Sequence, residues 1–126
     1  MISDTHDLAR WIRALFGGHV LPQRQLDEMT TIISTKTGEP ISDVSPDDPS
    51  GFGLDLGRVY RAELGGTYWF YQGTTFGFRA IFAYWPQYDL VITAATNSQP
   101  QDNEDQLGAV VVGGAFQALQ KQGLIQ

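Results

Sequence analysis

Residues 78–85 and 90–96 constrain this chain more than any other part of it. In the first stretch Phe78, Ala80, Phe82 and Tyr84 fall on one side of a period-two pattern and Ile81, Ala83 and Trp85 on the other, with Arg79 as its charged residue. Leu90 to Thr96 is apolar in the same two-sided way, and Pro86-Gln87-Tyr88-Asp89 between the stretches has the composition of a tight turn. A strand that is apolar on both faces must be covered on both. The pattern therefore predicts an antiparallel hairpin inside a sheet that carries other layers on each side.

The rest of the chain supplies those layers. Ser3-Asp4-Thr5-His6-Asp7 reads as a helix start, since Ser or Thr can cap the free backbone N–H groups and the aspartates favour the positive end of the macrodipole. Leu8, Trp11, Ile12 and Leu15 then recur at i, i+3, i+4 and i+7, and Gly17-Gly18 ends the run. Pro22 suits the first position of a second helix through Leu26 and Met29, extending to Ile32 and Ile33. Residues 36–50 hold three prolines and many short polar residues and read as a surface loop. Phe52, Leu54 and Leu56 alternate with Gly53 and Asp55 as a strand, and Glu63-Leu64-Gly65-Gly66-Thr67 is a turn into the aromatic run Tyr68-Trp69-Phe70-Tyr71. After a polar loop from Asn97 to Glu104, a helix over 102–122 presents Leu107, Val110, Val111, Ala115, Ala118 and Leu119 to the sheet. Its Gly113-Gly114 pair costs about 1 kcal/mol per glycine relative to alanine, and close approach of helix to sheet is the expected compensation.

The expected fold is thus α+β and a single domain over residues 1–126. Residues 1–35 are helical, 51–97 form an antiparallel sheet of four to five strands, and 102–122 close the chain with a helix. A net charge of −6 with scattered Lys and Arg argues against nucleic-acid partners and against an anionic membrane surface. No run approaches the roughly 18–20 apolar residues that span a bilayer. The chain has no cysteine, which excludes disulfides, thiolate catalysis and cysteine-held zinc. His6 and His19 are far apart in sequence, and the acidic groups at Asp43, Asp47 and Asp48 and at Asp102, Glu104 and Asp105 lack the glycine-turned spacing of a calcium loop. No metal or other cofactor is expected.

Several strings, in order, resemble the C-terminal part of the class C β-lactamase family, which also holds D-alanyl-D-alanine carboxypeptidases, D-aminopeptidases and related esterases. Ile2-Ser3-Asp4-Thr5-His6-Asp7-Leu8-Ala9-Arg10-Trp11 is similar to that family's Ser-Thr-x-x-Asp-Leu-Ala-Arg-Phe helix start. Leu21-Pro22-Gln23-Arg24-Gln25-Leu26-Asp27-Glu28-Met29 resembles its Ser-Pro-x-Gln-Leu-x-x-Met segment, and Gly51-Phe52-Gly53-Leu54 its Tyr-Gly-Leu-Gly strand. The longest match runs from Tyr71 to Ser98. There the family has a Lys-Thr-Gly or His-x-Gly triplet, a Gly-Phe strand, a turn with proline, a second apolar strand and an Asn. The resemblance implies a partial β-lactamase/transpeptidase-like fold.

It also implies a chemistry, most of which this chain lacks. The family's nucleophile is the serine of a Ser-x-x-Lys, assisted by a Tyr-x-Asn, and neither string occurs here. The third element is present in altered form as Tyr71-Gln72-Gly73. Tyr71 stands in place of Lys or His, and a phenol is neutral at pH 7, so it donates a hydrogen bond but brings no positive charge. Its other reading is plain strand packing within the aromatic run. The resemblance assigns Tyr71, Gly73 and Thr74 to the catalytic wall, with the Thr74 N–H as oxyanion donor, and Gln72, Thr75, Phe76 and Arg79 to substrate contact. Arg79 has the further reading of a structural ion pair. A literal Lys36-Thr37-Gly38 is followed by Glu39-Pro40 and reads as a loop with a surface lysine. The expected partner is the missing N-terminal part of the same fold, or a second copy through dimerisation or strand swapping. The alternative is a stand-alone, non-catalytic binding or oligomerisation module. A parent of this family would be periplasmic or otherwise extracytoplasmic, and a cytoplasmic location stays open.

Overall fold

The structure, a computed structural model, describes residues 3–97 and 104–125, and the side chains of residues 104–109 are not among those described. Helix α1 spans Thr5–Phe16 and helix α2 Gln23–Thr30. Seven strands follow: β1 (Ile32–Ser34), β2 (Pro40–Ile41), β3 (Ser50–Phe52), β4 (Gly57–Arg61), β5 (Gly66–Thr75), β6 (Phe78–Trp85) and β7 (Leu90–Thr96). Helix α3, Glu104–Lys121, closes the chain. The strands form one sheet in the order β2-β1-β3-β4-β5-β6-β7, and every neighbouring pair is antiparallel. No helix among the described residues is long and apolar enough to cross a membrane.

The central hairpin is as its sequence predicts. β6 and β7 occupy 78–85 and 90–96, joined by a 3-10 turn at Pro86–Tyr88 with Asp89 in the left-handed region. Its two faces are covered by different helices. On one, Phe82, Trp69, Tyr71, Tyr84 and Val91 meet Leu8, Ile12 and Phe16 of α1. On the other, Ile81, Ala83 and Trp85 meet Val112 and Phe116 of α3. Trp85 is fully buried between Tyr68 and Phe116, with ring centroids 4.7 and 4.9 Å away. Its indole N–H donates to the Leu64 carbonyl at 2.8 Å, so the polar atom carried inside is satisfied.

Five expectations need correction. The sheet has seven strands rather than four or five, because β1 and β2 come from stretches read as helix and loop. Ile32 and Ile33 belong to β1, since α2 stops at Thr30 and Thr31 already has extended dihedrals. The strand expected through Leu56 ends at Phe52. Asp55 takes φ 60 and Leu54 is 66% exposed, so residues 53–56 reverse the chain into β4, a strand the alternation had concealed. In α1, Asp4 is the N-cap, accepting from the Asp7 N–H at 2.8 Å, and Trp11 is 53% exposed while Phe16 takes the expected place in the core.

The fifth correction concerns α3. Val112 and Phe116 face the sheet, whereas Val110 is 66% and Val111 37% exposed, so the face assigned from sequence is largely the outer one. Leu107 and the start of the helix near Asp102 lie outside the described side chains and residues. Nor does close packing on the sheet explain the glycine pair. A Cβ on Gly113 would meet only Leu64 at an ordinary 3.7 Å, and one on Gly114 nothing within 4 Å.

Candidate active site

The geometry of β5 begins with where β4 stops. β4 pairs with β5 from Arg61 opposite Gly66 to Gly57 opposite Phe70, and residues 71–75 continue past it. Gly57 is the residue that permits this ending, because the Phe70 ring lies over it where any Cβ would collide. On its other side β5 stays paired to β6 as far as Thr75 opposite Phe78. Its last five residues therefore have one edge bound and, among the described residues, one edge open. β5 is an internal strand that becomes an edge strand halfway along.

The turn at its end decides which groups face that opening. Phe76 and Gly77 both have positive φ, 43 and 84, the mark of a type I′ two-residue hairpin. Such a turn closes on a hydrogen-bonded pair, here Thr75 and Phe78. Bonding alternates along an antiparallel ladder, so Gly73 and Tyr71 also bond toward β6. Gln72 and Thr74 then direct their backbone N–H and C=O groups to the open edge. The Thr74 N–H expected to serve an oxyanion is on that side.

The seven expected site residues do not share one environment. Gln72, Gly73, Thr74 and Thr75 line the open half-strand, with both threonines exposed. Phe76 sits at the hairpin tip, 100% exposed. Tyr71 is half-buried among Ile12, Leu56 and Phe82, so its aromatic body packs the sheet as the plainer reading had it. Arg79 is buried, 2% exposed, on the α3 side of the sheet and in register with Thr74 and Thr96. It offers no surface to an incoming molecule. Lys36-Thr37-Gly38 forms the exposed turn between β1 and β2, at the far end of the sheet from β7, with Gly38 at φ 77.

The register adds residues that sequence reasoning missed. Gly73 pairs with Ala80, and Ala80 with Ala95, which sets three small residues in a row across β5, β6 and β7. All three are on the α1 side, beyond the cover of the helix, and Ala80 and Ala95 are exposed. A Cβ at Gly73 would meet only the Tyr71 ring, at 3.8 Å, so the fold itself does not demand glycine there. The strand alternation carried this signal, because Ala80 is the smallest residue on its face of β6.

A second polar cluster lies nearby on β4. Arg58 donates to both carboxylate oxygens of Asp43 at 2.9 and 3.0 Å and to the Thr67 hydroxyl at 2.9 Å, and its guanidinium stacks 4.9 Å from the Trp69 centroid. Those hydrogen bonds hold the Asp43 carboxyl below the usual aspartate range despite the opposing effect of burial. The cluster pins the loop before β3 to the sheet. Burial raises the phenols of Tyr68 and Tyr84 above the ordinary tyrosine value, and both belong to the packed faces rather than the open edge.

The wall this defines is a strand edge with a free N–H at Thr74, two hydroxyls and a floor of small side chains. It can bind and polarise a carbonyl, but it holds no nucleophile or general base of its own. Comparison with known proteins identifies the family. The Beta-lactamase family profile matches residues 1–115, and the chain belongs to that family. Among solved structures it is similar to a D-stereospecific amidohydrolase from Streptomyces sp., with a TM-score of 0.65 at 24% sequence identity. That similarity covers 88% of this chain and 29% of the amidohydrolase, and at this identity it speaks for the fold alone. No curated protein sequence matches the chain significantly.

Proposed function

We propose that the chain forms one wall of a serine hydrolase active site, completed by polypeptide that carries the nucleophile. The observation that carries this reading is the open half of β5, where Gln72 and Thr74 turn backbone groups outward beside a floor of small residues. Membership of the Beta-lactamase family supports it, as does the span of the chain, 29% of the similar amidohydrolase. Tyr71 in place of a cation favours an uncharged ester or amide over a substrate held by its carboxylate. The amidohydrolase makes the amide the first compound class to try.

On this reading the isolated chain is inactive, because an oxyanion donor without a nucleophile leaves only binding. The chain alone is expected to give no turnover of nitrocefin or p-nitrophenyl acetate above a heat-treated control, and no covalent labelling by fluorescent penicillin. Labelling of the 126-residue chain would sink the proposal. A second reading, a non-catalytic oligomerisation module, is favoured by the apolar outer face of α3. A chain that stays inactive when supplied with a polypeptide bearing Ser-x-x-Lys and Tyr-x-Asn would support it.

A further inference from the structure

The β4–β5 ladder stops where its own register would let it continue. Gly57 lies opposite Phe70, and the same register carried two residues further would set Leu56 opposite Tyr71 and Asp55 opposite Gln72. Bonded pairs recur at every second residue of an antiparallel ladder, so Asp55 is the residue that would engage the backbone groups of Gln72. The local sequence favours that extension, because Phe52, Leu54 and Leu56 alternate with Gly53 and Asp55 in a strand pattern. Instead residues 53–56 reverse the chain, and Asp55 leaves the ladder at φ 60.

Contacts from three elements hold the reversal against that pattern. The Gly53 N–H donates to the Leu56 carbonyl at 2.8 Å and closes it. The Leu54 N–H donates at 3.0 Å to the carbonyl of Met29, one of those left free at the end of α2. Leu56 is buried with Ile12 of α1 and Phe82 of β6. Two residue types fit these contacts. A Cβ on Gly53 would stand 2.5 Å from the Met29 carbonyl oxygen and 3.2 Å from that of Thr31, so only glycine lets the turn lie on the end of α2. Asp is among the few residues with a Cβ that take positive φ at small cost, and β-branched residues resist it.

We infer that the turn at residues 53–56 is the stop of the β4–β5 ladder, and that Gly53 and Asp55 are positioning residues for the proposed wall. They keep β4 off Gln72, and so keep open the edge that carries the Thr74 N–H. Both act through the backbone of β5 rather than on a reacting atom. Without the stop, the neighbouring strand of the same chain would cover the edge from within, one bonded pair at a time. The first pair to form would be Asp55 with Gln72, and the second Gly53 with Thr74.

The positioning role rests on the hydrolase reading, whose tests are turnover and labelling, whereas the stop is tested in the chain alone by amide hydrogen exchange. In the unaltered chain the Gln72 and Thr74 N–H groups should exchange at least about tenfold faster than those of Tyr71 and Gly73, which bond to β6. Asp55→Val should extend β4 by one bonded pair and slow Gln72 about tenfold, the factor set by the cost of a left-handed residue with a Cβ. Thr74, one bonded pair further on, should stay fast. Asp55→Asn and Asp55→Gly keep the positive φ accessible and should leave both rates unchanged. Where Asp55→Val does not fold, Asp55→Ala gives the same comparison with a smaller slowing. Gly53→Ala drives a Cβ into the Met29 carbonyl, so it should speed exchange of the Leu54 amide and slow that of Gln72. Gln72 exchange that is slow in the unaltered chain, or indifferent to both the Asp55 and the Gly53 substitutions, overturns the inference. So does slowing by Asp55→Asn, which would assign the effect to the lost carboxylate rather than to the backbone.

Discussion

Phe76 holds a conformation that its side chain resists. It has φ 43 at the first central position of a type I′ turn, where a Cβ crowds the following carbonyl and Asn or Gly is usual. Its ring is wholly exposed, so no contact within the chain offsets that cost. Phe76→Asn is therefore expected to stabilise the chain by about 1 kcal/mol, measured as an upward shift of the thermal midpoint. A lower midpoint would mean that the ring is held by contacts absent from the single copy. Part of this site was legible in sequence. Gly73, Thr74 and Gly77 were placed by the string they form, and the structure gives them a half-open strand and its turn. Exposure was not legible: Trp11 sits on the flank of the α1 stripe and Phe16 replaces it, a choice made by where Trp69 and Tyr84 stand on another element.

Among the elements, those with two-sided apolar patterns were read to the residue, because nothing but a buried strand accommodates residues 78–85 and 90–96. β4 was missed because Arg58 breaks the apolar alternation of Gly57-Arg58-Val59-Tyr60-Arg61, and its charge is accommodated by Asp43, Thr67 and Trp69, which sequence does not bring together. The face of α3 was misread for a related reason: the unbroken run Ala109-Val110-Val111-Val112 and the apolar Ala115-Phe116 leave periodicity with no single stripe to select. The Asp43–Arg58 contact also sets an acid limit on the loop before β3. The carboxyl titrates below the unfolded aspartate value, so its contribution is complete above that value and is lost as pH falls through the lower folded one. Thermal midpoints measured from pH 7 down to pH 3 should show a fall that Asp43→Asn reduces. The difference should stay under about 1 kcal/mol, because the Asp43 side chain is 48% exposed and solvent screens the pair. An unchanged acid limb in the variant would assign the loss to other carboxylates.

At the scale of the whole molecule, the family was legible because short strings recur in a fixed order along nearly the whole chain, and that order survives even where single boundaries were wrong. What order alone cannot convey is the open edge, which depends on β4 ending opposite Phe70 while β5 runs on to Thr75. An edge of this kind is a binding term that has no counterpart in the unfolded chain, so whatever completes the site must also stabilise the fold. A polypeptide bearing the Ser-x-x-Lys and Tyr-x-Asn elements, added at a hundredfold excess over its dissociation constant, is expected to stabilise the chain by about 2.7 kcal/mol. For a chain of 126 residues this corresponds to a rise in melting temperature of roughly 10 °C. The rise should grow with the logarithm of the added concentration and should accompany the appearance of p-nitrophenyl acetate turnover. Turnover without any change in melting temperature would mean that the added polypeptide forms its site alone, and that the open half of β5 is not the wall it uses.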